Sequence, residues 1–134
     1  LFVAAGGSGN GVFTAAKEAG HVKVIGCDVD QFNDGVNGDS NIVLTSALKV
    51  MDANVERMLE AVKAGTFVGG NELRGADSDS TGYVKEEGRH ALSEDTLVKM
   101  EEAYNLVKSG DVVPASNFNG MTPEAFKGLA SYQG

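Results

Sequence analysis

Apolar positions along the chain switch between continuous short runs and helical spacing. Residues 1–5 and 22–27, the latter interrupted by Lys23 and closed by Asp28, are short apolar runs. Runs of this length without polar alternation predict strands covered on both faces. Between them the turn Gly6-Gly7-Ser8-Gly9-Asn10-Gly11 leads into Val12, Phe13, Ala16 and Ala19 at helical spacing, and Gly20 stops that pattern. The segment therefore reads as a βαβ unit. Residues 32–41 follow with three Asn, two Asp and two Gly, a turn-rich linker.

Residues 42–48 form the next apolar run and predict a strand. Met51, Val55, Met58, Leu59 and Val62 then recur at helical spacing, opposite Glu56, Arg57, Glu60 and Lys63, with Gly65 placed as the C-terminal cap. Residues 66–88 set short apolar pieces among Gly, Asp and Ser, and predict one or two short strands with long loops. Ser93 is an N-cap followed by Glu94 and Asp95, and Leu97, Met100, Tyr104 and Val107 make the buried stripe of a helix ended by Lys108 and Gly110. Val112-Val113 before Pro114 predicts an edge strand, and Thr122-Pro123-Glu124 a last helical turn or two. The fold class is α/β, a layered, mostly parallel sheet flanked by helices.

Composition narrows the function. Eleven Lys+Arg against 19 Asp+Glu in 134 residues give a formal charge of −8. With no basic cluster to displace counterions, binding to nucleic acid or to an anionic membrane is not expected. No apolar run approaches the roughly 20 residues of a membrane span, so direct membrane insertion by this segment is not expected either. Cys27 is the single cysteine, which excludes an intrachain disulfide. The chain opens inside an apolar run at Leu1, with no initiator Met and no leader, and reads as part of something longer.

Three turns invite chemistry. Gly7-Ser8-Gly9 between strand and helix, with Asp28 at the end of the next strand, approaches a dinucleotide fingerprint. The third glycine of that fingerprint would fall at Val12, and Asn10-Gly11 adds a further flexible step. The same turn misses a hydrolase nucleophile elbow, which needs glycine where Asn10 stands. Asp77-Ser78-Asp79-Ser80-Thr81-Gly82 resembles the opening of a calcium loop, but the twelfth position is Gly88 where a bidentate Glu is required. His21 and His90 have no zinc spacing, and neither a metal nor a cofactor is expected. Asp28-Val29-Asp30 lies where ligands bind in open α/β sheets, and a carboxylate there suits paired hydroxyls. Lys49, where the strand at 42–48 yields to a helix, can reach the same edge. Phe13 and Phe118 are candidates to stack on a base or sugar ring, although core packing is the favoured place for Phe13.

Taken together, AAGGSGNGVFTAAKEAG at 4–20, VIGCDVDQ at 24–31 and IVLTSALKVMDANV at 42–55 resemble the basic membrane protein family, the nucleoside-binding lipoproteins of bacterial ABC importers. The resemblance covers roughly residues 1–65 in order and spacing. It implies a type I periplasmic binding protein with two α/β lobes, a nucleoside, commonly a purine nucleoside, held between them, and no enzymatic step. Carried onto this chain, Gly6, Gly7, Ser8 and Gly9 match the glycine-rich loop at the cleft. Asp28 matches the acid that holds ribose hydroxyls, and Lys49 matches the lysine after the L-T-S block.

The resemblance further implies an ABC transporter permease as partner and an extracytoplasmic, lipid-anchored parent. A simple-sugar or other small-metabolite receptor of the same fold, and a fragment of an NAD-dependent oxidoreductase, are the alternatives. On this reading the chain is a C-terminal part. Residues 1–31 would lie in one lobe, 32–41 would be a hinge crossing, 42–65 would lie in the other lobe, and 66–134 would return. The missing contacts predict weak binding by this segment alone, and an exposed sheet edge predicts self-association.

Overall fold

A computed structural model describes residues 1–116 and 119–126. Its centre is a mixed three-stranded sheet in the order β1, β4, β5: β1 (Val24–Asp28) and β4 (Val43–Lys49) run parallel, and β5 (Thr81–Tyr83) lies antiparallel on the far side of β4. The expected first strand at 1–5 is reduced to one parallel bridge from Phe2 to Ile25, reinforced by Ile25 N donating to the Leu1 carbonyl at 2.7 Å. With α1 (Gly9–Ala19) between them, bridge and β1 still make the βαβ arrangement. The helix begins earlier than its sequence suggests. Gly6–Ser8 is a 3-10 turn that runs straight into α1, so Asn10 and Gly11 are helical and add no flexible step.

The hinge crossing expected over 32–41 is a connection within one sheet. Residues 33–35 form a 3-10 turn, and β2 (Val36–Asn37) and β3 (Ser40–Asn41) close a two-stranded hairpin before β4. This brings the chain back beside β1, with Val24 opposite Val43 and Asp28 opposite Leu48. The turn residues serve a compact return to the same sheet. The core sits where α1 crosses this parallel pair. Phe13 and Ala16 pack on Val24, Ile42 and Val43, with Val3 and Val22 at the margin.

Helix α2 (Met51–Ala64) ends at Gly65 in the left-handed region, as expected. Its orientation is the reverse of ordinary amphipathicity. Ala53, Asn54, Arg57 and Ala61 form its half-buried side, whereas Val55 and Leu59 are 58% and 64% exposed. The reason is polar: Arg57 donates to the Ser78 carbonyl at 2.8 Å and to Ser80 Oγ at 3.2 Å, and Asn54 Oδ1 accepts from both Arg57 and Ser80. No described residue covers the apolar stripe to the depth of burial.

Helix α3 (Glu94–Ser109) is capped by Ser93, whose Oγ accepts from Thr96 N, and its expected stripe of Leu97, Met100, Tyr104 and Val107 is half-buried. Val112-Val113 forms no strand; residues 123–125 make a turn in which Phe126 N donates to the Thr122 carbonyl at 3.3 Å, and the rest of the expected last helix lies outside the described residues.

Candidate functional site

Parallel pairing places the carboxyl ends of β1 and β4 side by side, and two of the sequence candidates stand there. Asp28 closes β1 with φ +71°, an unusual conformation for a residue with a side chain. Val29 N donates to the Cys27 carbonyl at 2.9 Å, so Asp28 is the centre of a three-residue turn. That strained turn sets its carboxylate at the strand end. Lys49 closes β4, one residue beyond the partner of Asp28, and its Nζ lies 3.4 Å from Asp28 Oδ1.

Two cavities meet at Asp28 and Val29. One, of about 480 Å³, runs from Asp28, Val29 and Asp30 to Leu48 and Lys49. The other, of about 230 Å³, is bounded by Gly6, Gly7, Gly9 and Phe13 on one side and Cys27, Asp28 and Gln31 on the other. Asp28 therefore shares one cavity with Lys49 and the adjoining one with the glycine turn. Gly6 at φ +53° requires the freedom of glycine, and a side chain there would be strained. Gly9, where α1 begins, lines the smaller cavity, and its amide bonds back to the Gly6 and Gly7 carbonyls.

Ser8 is not brought to Asp28. It lines a separate apolar depression with Leu1, Val12 and Val22, and its hydroxyl caps no amide of α1. Phe13 is almost wholly buried in the core and shows only an edge to the cavity. Phe118 lies outside the described residues.

Two residues the sequence did not single out, Gln31 and Arg89, complete the site together with Asp30. Gln31 N donates to Ser46 Oγ at 3.1 Å, while its side-chain Oε1 accepts from Cys27 N at 2.9 Å, so the loop after Asp28 is knitted to both strands. Asp30, also on the cavity wall, is paired with Arg89. The VIGCDVDQ block contained Gln31 and Asp30, but the position of Arg89, 59 residues onward, had no local signal.

Four shifted acid–base groups, Asp79, Tyr83, Glu101 and Tyr104, lie elsewhere, along the seam between α3 and the sheet. Lys108 and Tyr104 bonded to Asp79 hold its carboxyl below the usual value, and Lys85 and Tyr83 do the same to Glu101. The resemblance of 77–82 to a calcium loop is explained by this use. Asp77 Oδ1 accepts from Gly75 N, and Asp79 Oδ1 accepts from α3. A further cavity of about 610 Å³ lies against Met58, Leu59 and Val62 of α2, and shares no residue with the strand-end site.

Residues 1–109 match the family described as ABC transporter substrate-binding protein PnrA-like. The CD4+ T-cell-stimulating antigen of Listeria monocytogenes is 39% identical over 124 residues, covering 84% of this chain and 34% of that protein. The protein of the same description from Listeria innocua is 38% identical over the same shares. The chain thus spans about a third of the length of these relatives. Among solved structures, a transcriptional activator of the comK gene from Bacillus halodurans superposes with a TM-score of 0.68 at 18% identity, covering 85% of this chain and 38% of that one. At that identity the likeness speaks to the fold.

Proposed function

The chain belongs to the PnrA-like family of ABC transporter substrate-binding proteins, and from that membership we propose that the protein reversibly captures a nucleoside, most readily a purine nucleoside, at the carboxyl ends of β1 and β4. The observation that carries the reading is that Asp28 lines both the cavity it shares with Lys49 and the neighbouring one it shares with the glycine turn. An ionised carboxylate accepts two hydroxyl donors at once, which suits the 2′ and 3′ hydroxyls of ribose. Lys49 donates to a ring or hydroxyl oxygen, and backbone amides at the glycine turn supply further donors. No covalent step is needed. Discrimination then rests on leaving a site group unsatisfied when a ligand lacks its hydroxyl.

Capture by closure fits the chain's share of its relatives. In this reading the whole protein has two lobes, and the outward apolar stripe of α2 packs against the second. Helix α2 then stays with the lobe that holds the sheet, since Arg57 and Asn54 bond to Ser78 and Ser80, and presents its stripe to the other. A permease is the partner of the whole protein, which works outside the cytoplasm on a lipid anchor. Apposing a second lobe excludes water and adds the contacts that recognise the base.

Titration calorimetry of the full-length protein with inosine, guanosine, adenosine, ribose and NAD tests this. Tight nucleoside binding lost in Asp28→Ala is the expected result. Binding of ribose alone would make the protein a sugar receptor, binding of NAD would restore the dinucleotide reading of the turn, and binding of none would overturn the proposal.

A further inference from the structure

Arg89 reaches the wall of the proposed ligand site from the opposite flank of the sheet. Val84 N bonds to the Ser46 carbonyl and Ala91 N to the Leu44 carbonyl, so residues 85–90 bulge out between two neighbouring rungs of β4. β1 lies on the other flank of β4. From this bulge the guanidinium spans β4 to the loop that follows β1. Its Nε donates to Asp30 Oδ2 at 2.7 Å, a second nitrogen pairs with the same oxygen, and Nη1 donates to Asn33 Oδ1 at 2.9 Å. The plane also lies over Phe32, 5.0 Å from the ring centre. Asp30 Oδ1 meanwhile accepts from Phe32 N at 2.9 Å.

We propose that Arg89 is a positioning residue for the strand-end site, locking residues 30–33 and withdrawing the Asp30 carboxylate from ligand and from Lys49. Asp28 and Asp30 are two residues apart and both line the 480 Å³ cavity. Without a partner, Asp30 competes for Lys49 and sets a second negative charge beside Asp28. With Arg89 in place the charges are sorted into two pairs, Asp28 with Lys49 and Asp30 with Arg89. Only the first faces the cavity from both strands. A fork of fixed geometry contacts Asp30 and Asn33 together, which a lysine ammonium cannot reproduce.

The inference rests on the nucleoside reading, and its test separates the two. Arg89→Ala, Arg89→Lys and Asn33→Ala are made in the full-length protein, and each is titrated with a ribonucleoside and with its 2′-deoxy counterpart. Amide hydrogen exchange is followed over 29–34 without ligand. Arg89→Ala is expected to raise exchange there, weaken ribonucleoside affinity about tenfold, and compress the preference over the deoxy form, with Arg89→Lys restoring part of each. A merely destabilised protein binds with lower stoichiometry and unchanged preference. Unchanged loop exchange, or unchanged affinity and preference, overturns the positioning role, and Asn33→Ala reads the same effect if Arg89→Ala fails to fold. Wild-type protein that binds no nucleoside sinks the functional reading itself, and the exchange measurement then decides the clamp alone.

Discussion

Lys49 Nζ stands 3.4 Å from Asp28 Oδ1 across the ends of two adjacent parallel strands, with side chains 59% and 48% exposed. A pair so long and so wet contributes roughly 0–1 kcal/mol. Stability is therefore a poor account of why Asp28 occupies a left-handed conformation that costs about 1 kcal/mol or more. A ligand that replaces the water around the pair gives both charges something to do.

Binding and folding are therefore separable at this pair. Asp28→Asn keeps a side chain tolerant of positive φ but removes the charge, and Lys49→Met keeps the aliphatic stem. Each is expected to lower nucleoside affinity by about tenfold or more while shifting unfolding by less than about 1 kcal/mol. Calorimetric titration beside urea unfolding measures both. A large loss of stability with unchanged affinity would make the pair a structural tie.

The floor of the site rests on a missing side chain. A Cβ on Gly26 would stand 2.5 Å from Ser46 Oγ and 3.0 Å from Gln31 Cβ. Ser46 is fully buried, and Gln31 is bonded to it and to Cys27 N. Neither neighbour can yield without breaking the stitch that follows Asp28. Gly26→Ala is expected to cost about 1–3 kcal/mol and to weaken ligand binding by displacing residues 28–31. Chemical denaturation with an unchanged midpoint would contradict it.

The parts legible in the sequence were those set by local pattern. The run at 42–48, the caps at Gly65 and Ser93 and the strand-end acid Asp28 need only neighbours in the chain, and the structure places them within a residue or so. Burial of α2 was not legible, because periodicity reveals which residues share a face and not which face is covered. Arg57, expected on the outer side, is held inward by the carbonyl of Ser78. The same limit hid Arg89, whose partners lie in a loop nearly half the chain away. The turn residues of 32–41 mark a change of direction, and where the chain goes next is set by the pairing of β1 with β4.

Reversed amphipathicity makes an unusual contrast testable within this chain. Arg57→Ala removes three hydrogen bonds to Asn54, Ser78 and Ser80 at the half-buried side of α2, and is expected to cost about 1–3 kcal/mol. Leu59→Ala, on the exposed side, is expected to stay within about 0.5 kcal/mol. Urea unfolding of both variants of this segment gives the order. If Leu59→Ala proves the costlier, the apolar stripe is covered by this chain itself and the orientation of α2 is wrong.

The seam under α3 gives the fold its pH dependence. Glu101 accepts from Lys85 at 2.8 Å and Tyr83 at 3.0 Å, and Asp79 accepts from Lys108 at 2.6 Å and Tyr104 at 3.0 Å. These donors hold Glu101 and Asp79 below their ordinary values of 4.5 and 3.8. A lowered folded value contributes stability above the ordinary one, and that stability is lost as pH falls through the lowered value. Tyr83 behaves in the opposite sense. Burial, then its bond to Glu101, pushes the phenol from 10.0 up to about 12, so its contribution is complete below 10.0 and disappears as pH rises toward 12. Stability should therefore fall at both extremes. Glu101→Gln is expected to flatten the acid limb and to bring the Tyr83 phenol partway back, since burial remains. Ultraviolet titration against a Tyr83→Phe reference resolves that phenol from the others. Should it titrate unchanged in Glu101→Gln, the bond between β5 and α3 does not form in solution.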